Sequence, residues 1–156
     1  EVLPLIRKQR PEVRLRVVGR DPAPGLLALA GEGVEFLGWV PELEPEYRAT
    51  RVTVAPLRYG AGVKGKVVES LSYGVPVVTT PVGAEGTGMI DGVTGRIAEQ
   101  EQSFAEAVLG LLEDDEAWRA ISDAGLAHVD ATFGREATRT AVLGLIEEFG
   151  ARLGEA

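Results

Sequence analysis

Short apolar segments alternate with longer amphipathic ones along the first hundred residues. Runs of β-branched residues bounded by Gly or Pro are typical of buried strands, and the chain has five of them. The sequence predicts strands at residues 14–19, 34–40, 51–55, 75–80 and 95–98. Apolar residues spaced three and four apart indicate helices instead. These are predicted at residues 2–9, 25–30, 43–49, 66–73, 103–112, 117–133 and 136–153.

The alternation of strands and helices indicates the fold class. Such strands pair in parallel through right-handed crossovers, and the helices cover both faces of the sheet. We therefore predict one three-layer, Rossmann-like α/β domain over residues 1–156, with a helical C-terminal extension. Ser103 followed by Glu106 fits a capping box at a helix start.

The beginning of the chain suggests a fragment. The first predicted element is a helix, whereas α/β domains of this kind usually open on a strand. The first residue is Glu1 rather than Met. We therefore expect that a first strand lies upstream, together with the rest of a longer protein.

Composition removes several classes of function. The chain has 16 Lys and Arg against 24 Asp and Glu, a net charge of −8, which disfavours general binding of nucleic acid. It has no Cys, which excludes disulfides and thiolate metal sites. Its single His, His128, excludes a metal site built from several histidines. No apolar run approaches the roughly 18 residues that would span a bilayer.

A glycine-rich loop follows the third predicted strand and carries the candidate chemistry. Its glycines and cations are Gly60, Gly62, Gly65, Arg58, Lys64 and Lys66. A helix is predicted to begin near Lys66, so its free N–H groups point back into the loop. Free amides, the helix dipole and nearby cations together favour a phosphate or a diphosphate.

Two common motifs match this loop incompletely. The segment from Gly60 to Lys66 satisfies G-x-x-x-x-G-K, but Val67 stands where a P-loop NTPase needs Ser or Thr to hold magnesium. It also satisfies G-x-G-x-x-G, with Glu85 placed 20 residues after Gly65. A dinucleotide site needs its first glycine directly after the strand, and four residues intervene here. Both readings are therefore disfavoured.

Five segments in order resemble the C-terminal, donor-binding half of a GT-B glycosyltransferase, of the large retaining group often called family 4. They are residues 15–19 (LRVVG), 34–40 (VEFLGWV), 52–56 (VTVAP), 66–78 (KVVESLSYGVPVV) and 91–95 (DGVTG). The fourth is similar to the family pattern K-x-x-E-A-x-A-x-G-x-P-V-V. The resemblance covers nearly the whole chain. It implies transfer of a glycosyl group from a UDP- or GDP-sugar with retention, without a cofactor or an obligatory metal.

The resemblance also implies roles for individual residues. Glu69 matches the glutamate that grips the ribose hydroxyls, since a carboxylate can accept two hydrogen bonds from a vicinal diol. The remaining implied nucleotide-sugar contacts are the amides from Gly62 to Val67, the turn of Gly38, Trp39 and Val40 beside the base, and Gly60, Arg58, Lys64 and Lys66 near the phosphates or sugar. The catalytic residues stay unassigned.

The chain departs from the family pattern in two ways. A family glutamate eight positions before Glu69 is replaced by Ala61. The family's Arg and Lys that neutralise the leaving diphosphate follow a strand that would precede Glu1. We therefore expect the fragment to bind donor weakly and to catalyse nothing alone.

Other readings stay open beside the resemblance. Glu69 can be explained as the partner of Lys66, three residues away on an exposed helix face. The whole domain can be a non-catalytic binding module with a vestigial loop, which Ala61 favours, or part of a GT-B nucleotide-sugar epimerase. For the enzyme we expect a cytoplasmic location, peripheral membrane association through the upstream half, and that half as its partner.

Overall fold

The computed structural model describes residues 1–22, 24–31 and 33–154, with side chains as far as residue 150. Within these ranges the strands are β1 (Leu15–Val18), β2 (Val34–Gly38), β3 (Thr53–Ala55), β4 (Val77–Thr79) and β5 (Arg96–Ile97). The helices are α1 (Val2–Gln9), α2 (Pro24–Leu27), α3 (Glu44–Arg48), α4 (Gly65–Ser72), α5 (Pro81–Ala84), α6 (Glu101–Glu113), α7 (Asp115–Phe133) and α8 (Arg135–Gly154).

Every predicted strand and helix is present, although each strand is shorter than its apolar run. Helix α5 was not predicted, because its four residues are too few to show a period. It begins at Pro81, and the side chain of Thr80 caps it by accepting from the Gly83 amide at 3.2 Å.

The predicted capping box is wrong. Helix α6 begins at Glu101, two residues before the predicted cap. Ser103 therefore lies inside the first turn, and its hydroxyl donates to the carbonyl of Gln100 at 3.0 Å. A serine in that position bonds backward to a carbonyl and caps no amide.

All strands pair in parallel, as the α/β pattern predicts. The single predicted sheet, however, is divided in two. β1 pairs with β2, while β4 lies between β3 and β5. The edges of β1 and β3 face a cavity of about 600 Å³, lined on several sides by apolar residues including Val2, Leu15, Val54, Phe104 and Val108.

The core is packed on both faces of the β3–β4–β5 sheet. Val78 joins a cluster with Ile6 of α1 and the apolar face of α6, while its neighbour Val77 packs with Leu71 of α4. Successive residues of a strand point to opposite faces, so this pair shows helices on both sides. The mixed α/β, three-layer architecture is therefore confirmed.

Helix α8 lies apart from this core. Its side chains from Thr138 to Gly150 are exposed, among them Leu145, Ile146 and Phe149. Over the residues described, no helix is both long and apolar enough to cross a membrane.

Two helical glycines test how tightly the sheet packs. A Cβ at Gly83 would overlap Thr79 Oγ1, the hydroxyl that donates to the Ala55 carbonyl, whereas a Cβ at Gly110 meets nothing within 4 Å. We expect Gly83→Ala to lower the free energy of unfolding by roughly 1–3 kcal/mol through overpacking. Gly110→Ala should raise it by about 0.5–1 kcal/mol. Urea denaturation checks both. If both substitutions changed the free energy of unfolding equally, the residues around Gly83 would have moved to make room for the added methyl group.

Candidate functional site

The site is built at the carboxyl edge of the sheet, where β3 and β4 end side by side. Thr79 Oγ1 donates to the Ala55 carbonyl at 2.9 Å, and Thr80 Oγ1 donates to the Leu57 carbonyl at 2.6 Å. Thr79 is fully buried. These bonds fix the direction in which the chain leaves β3 and enters the glycine-rich loop.

Gly62 lies at the apex of that loop. Its φ of +71° falls in the left-handed region, which side chains other than glycine rarely adopt. A Cβ built there meets no atom within 4 Å, so the apex faces open space. The backbone is thus accessible to a ligand at this point.

Lys64 holds the loop in shape. Its side chain is only 10% exposed and its Nζ donates to the Gly62 carbonyl at 2.5 Å. The same Nζ lies 3.9 Å from the Glu85 carboxylate, on the turn after α5. The charge of Lys64 is therefore partly satisfied inside the protein, and Glu85 takes part in that arrangement.

The backbone amides of the loop are free. In the described part of the chain, no hydrogen bond uses the N–H groups of residues 61–66. These groups precede or begin α4, where the helix dipole favours an anion. Val67 differs from its neighbours, because its amide donates to the Lys64 carbonyl at 2.8 Å and its side chain is fully buried. The free amides therefore end at Lys66.

Lys66 and Glu69 lie one turn apart on α4 and both line the cavity between the two sheets. None of the ion pairs found among the described residues joins them. Glu69 instead lines this cavity together with Tyr47 of α3. Burial, together with the charge and hydrogen bonding of Glu69, raises the pKa of Tyr47 to about 12. Glu69 and Lys66 therefore do not form the ion pair that the alternative interpretation of the sequence predicted.

Arg58 forms an ion pair with another part of the chain. Its side chain is 77% exposed and its Nη2 lies 2.7 Å from the carboxylate of Glu1, directly before α1. An exposed pair of this kind contributes little stability. It does show that the start of α1 lies at the same edge as the glycine-rich loop.

The predicted base-side turn follows β2. Gly38 has φ +69° and accepts a hydrogen bond from the Gly19 amide at 2.9 Å, which ties the ends of β1 and β2 together. Trp39 is 60% exposed, and the guanidinium of Arg20 lies 5.0 Å from the centre of its ring. The turn therefore presents an aromatic surface with a cation over it.

Sequence reasoning missed Arg20 and Tyr47. Arg20 directly follows the Gly19 turn, so its place at the carboxyl end of a predicted strand was the available signal. Tyr47 lies on a five-residue helix with no motif around it, and nothing local indicated that it lines the same cavity as Glu69.

A comparison of the sequence with known families identifies the chain. Residues 1–114 match the family described as glycosyl transferases group 1. The chain belongs to the group 1 glycosyltransferases. The resemblance recognised in the sequence is thereby confirmed, and a glycosyltransferase of GT-B type is the class that this fold and family support.

Solved structures show the same fold. Sucrose-phosphate synthase from Thermosynechococcus elongatus is 26% identical with a TM-score of 0.78, over 97% of this chain and 42% of that one. HepE of Anabaena, in complex with UDP and glucose, is 20% identical with a TM-score of 0.71. The match covers 90% of this chain and 43% of HepE. The C-terminal domain of a group 1 glycosyltransferase from Francisella tularensis is 19% identical, with a TM-score of 0.71. The match covers 84% of this chain and 75% of that domain. This group 1 chain thus spans less than half the length of the first two.

Lys64 gives a test of the loop. Lys64→Met removes the bond to Gly62 while keeping most of the side chain's bulk, so we expect backbone order parameters of residues 60–64 to fall from near 0.85 toward roughly 0.6. Lys66→Met is the matched control and should leave them unchanged, because Lys66 has no protein partner among the described contacts. NMR relaxation measures both. Unchanged order parameters in Lys64→Met would show that the glycines alone determine the conformation of the loop.

Proposed function

We propose that this chain is the donor-binding half of a retaining glycosyltransferase that uses a UDP- or GDP-sugar. The observation that carries the proposal is the run of free amides at residues 61–66, with Lys66 and Glu69 on the following helix. The amides bind the diphosphate, and Glu69 accepts hydrogen bonds from the ribose hydroxyls. Membership of group 1 and the UDP complexes of HepE support this assignment.

The physical role of this half is to stabilise negative charge on the leaving diphosphate. Fixed amide dipoles stabilise developing charge without having to reorganise during the reaction. Lys66 adds a cation beside them, whereas Lys64 shapes the loop and Arg58 pairs with Glu1. Because these groups act on the phosphates, they are compatible with different sugars and acceptors. Transfer in this proposal requires no cofactor and no metal.

The cavity between the sheets supports the expectation of an upstream strand. The cavity is lined by Ile6 of α1 and Phe104 of α6 on one face of the sheet and by residues of α4 on the other. A strand covered by helices on both faces is typical of the centre of a parallel sheet. We assign it to a strand formed by residues that precede Glu1, since the Glu1–Arg58 pair places the start of α1 at the edge where such a strand would end. The order would then be β2, β1, the upstream strand, β3, β4 and β5, with the ligand at the switch point.

We assign the remaining upstream residues to an acceptor-binding half. The exposed apolar side chains of α8 provide a surface for it, because exposed apolar residues that cluster usually mark contacts. The alternative of a non-catalytic module rests on Ala61, which supplies no carboxylate at the loop apex. Detection of glycosyl transfer by the whole polypeptide separates the two.

Hydrogen exchange tests the upstream strand. In the whole polypeptide we expect the amides of β1 and β3 that face the cavity to exchange as slowly as those of β4, because both edges are paired. The outer edges of β2 and β5 are the internal control and should exchange faster. Rapid exchange along the cavity edges of β1 and β3 would contradict the assignment.

Glu69 tests the donor site. Glu69→Gln keeps one acceptor and removes the charge, so donor affinity in the whole polypeptide should fall by roughly 1.5–3 kcal/mol, the contribution of charge-assisted hydrogen bonds. Glu99→Gln, at an exposed position after β5, is the control and should change nothing. Calorimetry with UDP and GDP measures affinity, and thermal denaturation measures stability. Loss of stability with unchanged affinity would support a structural role for Glu69.

A further inference from the structure

Glu69 has a specific protein neighbour on another element. Tyr47 of α3 and Glu69 of α4 line the same cavity. The ring of Tyr47 stacks on Tyr73, with centroids 4.7 Å apart and planes 16° from parallel. Tyr73 caps the end of α4 four residues after Glu69, so both lie on the same side of that helix. The Tyr47 ring thus lies along the helix face that carries the carboxylate.

Helix α3 is held in place independently of Glu69. Glu46, beside Tyr47, forms an ion pair with Arg16 of β1 at 2.5 Å. The hydroxyl of Thr50 donates to the Glu46 carbonyl at 2.7 Å and ties down the end of the helix. The stacked Tyr73 restrains the ring from the other side. Tyr47 is therefore held by contacts that do not involve Glu69.

We propose that Tyr47 is a positioning residue, whose hydroxyl donates to the Glu69 carboxylate and orients it toward the ribose hydroxyls of the donor. A carboxylate has about four acceptor positions, so one bond from Tyr47 leaves room for two from a vicinal diol. The raised pKa of Tyr47 agrees with this arrangement. Burial is its main cause, and the Glu69 carboxylate adds to it because a nearby negative charge opposes loss of the phenolic proton. This inference rests on the proposed function of Glu69.

The contact itself can be tested without any ligand. NMR of protein labelled at tyrosine Cζ follows each phenol, and the Tyr47 signal is assigned by its loss in Tyr47→Phe. At about pH 10.5, where an ordinary tyrosine is mostly ionised, Tyr47 should remain protonated. In Glu69→Gln the opposing charge is gone, so Tyr47 should ionise at lower pH. An unchanged titration in Glu69→Gln would overturn the contact and the inference.

The positioning role is tested by comparing UDP with 2′-deoxy-UDP in the whole polypeptide. Tyr47→Phe keeps the stacked ring and should weaken the binding of UDP about fivefold, equivalent to about 1 kcal/mol. The affinity for 2′-deoxy-UDP should change less than twofold. Tyr73→Phe is the matched control, since it also keeps the stack, and both affinities should stay within twofold. Calorimetry with the two nucleotides gives the ratio.

The outcomes separate the two hypotheses. If the parent protein prefers UDP and Tyr47→Phe reduces that preference, the inference holds. If the parent prefers UDP and Tyr47→Phe keeps the same preference, the inference is overturned while the proposed role of Glu69 survives. If the parent does not distinguish the nucleotides, the ribose role of Glu69 fails and the inference fails with it.

Discussion

Two adjacent threonines at the end of β4 each donate a hydrogen bond to the chain that leaves β3. The bond from Thr79 to Ala55 reinforces the last pair of the parallel ladder between the two strands, and the bond from Thr80 to Leu57 continues the contact beyond it. Buried hydroxyls must find partners, which makes this geometry costly to change. The start of the glycine-rich loop and the entry into α4 both depend on it. So does α5, because Thr80 also caps that helix.

The attraction of this site for an anion arises locally, against the charge of the whole protein. The chain carries a net charge of −8, and two loop cations are already occupied, Lys64 by the Gly62 carbonyl and Glu85, and Arg58 by Glu1. What remains is the set of free amides at residues 61–66 and the ammonium of Lys66. Amide dipoles at a helix start act at short range, so an acidic surface elsewhere does not cancel them.

The elements could be predicted from sequence because each has its own local signal. The run at residues 75–80 and the helix carrying Lys66 and Glu69 are examples, and the structure has both within two residues. The division of the sheet could not be read locally, since it depends on which strands become neighbours. The same holds for Tyr47, which lines the same cavity as Glu69 because α3 packs against the end of α4. The contact of Lys64 with the Gly62 carbonyl could not be predicted either, because the sequence shows a charge but not its burial.

The candidate site is divided between the two sheets, and α3 connects them. The turn with Trp39 follows β2, whereas the glycine-rich loop follows β3, so the proposed base and phosphate contacts belong to different sheets. Between them α3 contacts both sides, through Glu46 to Arg16 of β1 and through Tyr47 to Tyr73 at the end of α4. A ligand that reaches from Trp39 to Gly62 must cross the end of the cavity. Its affinity therefore depends on how the two sheets are held together, as well as on the residues it touches.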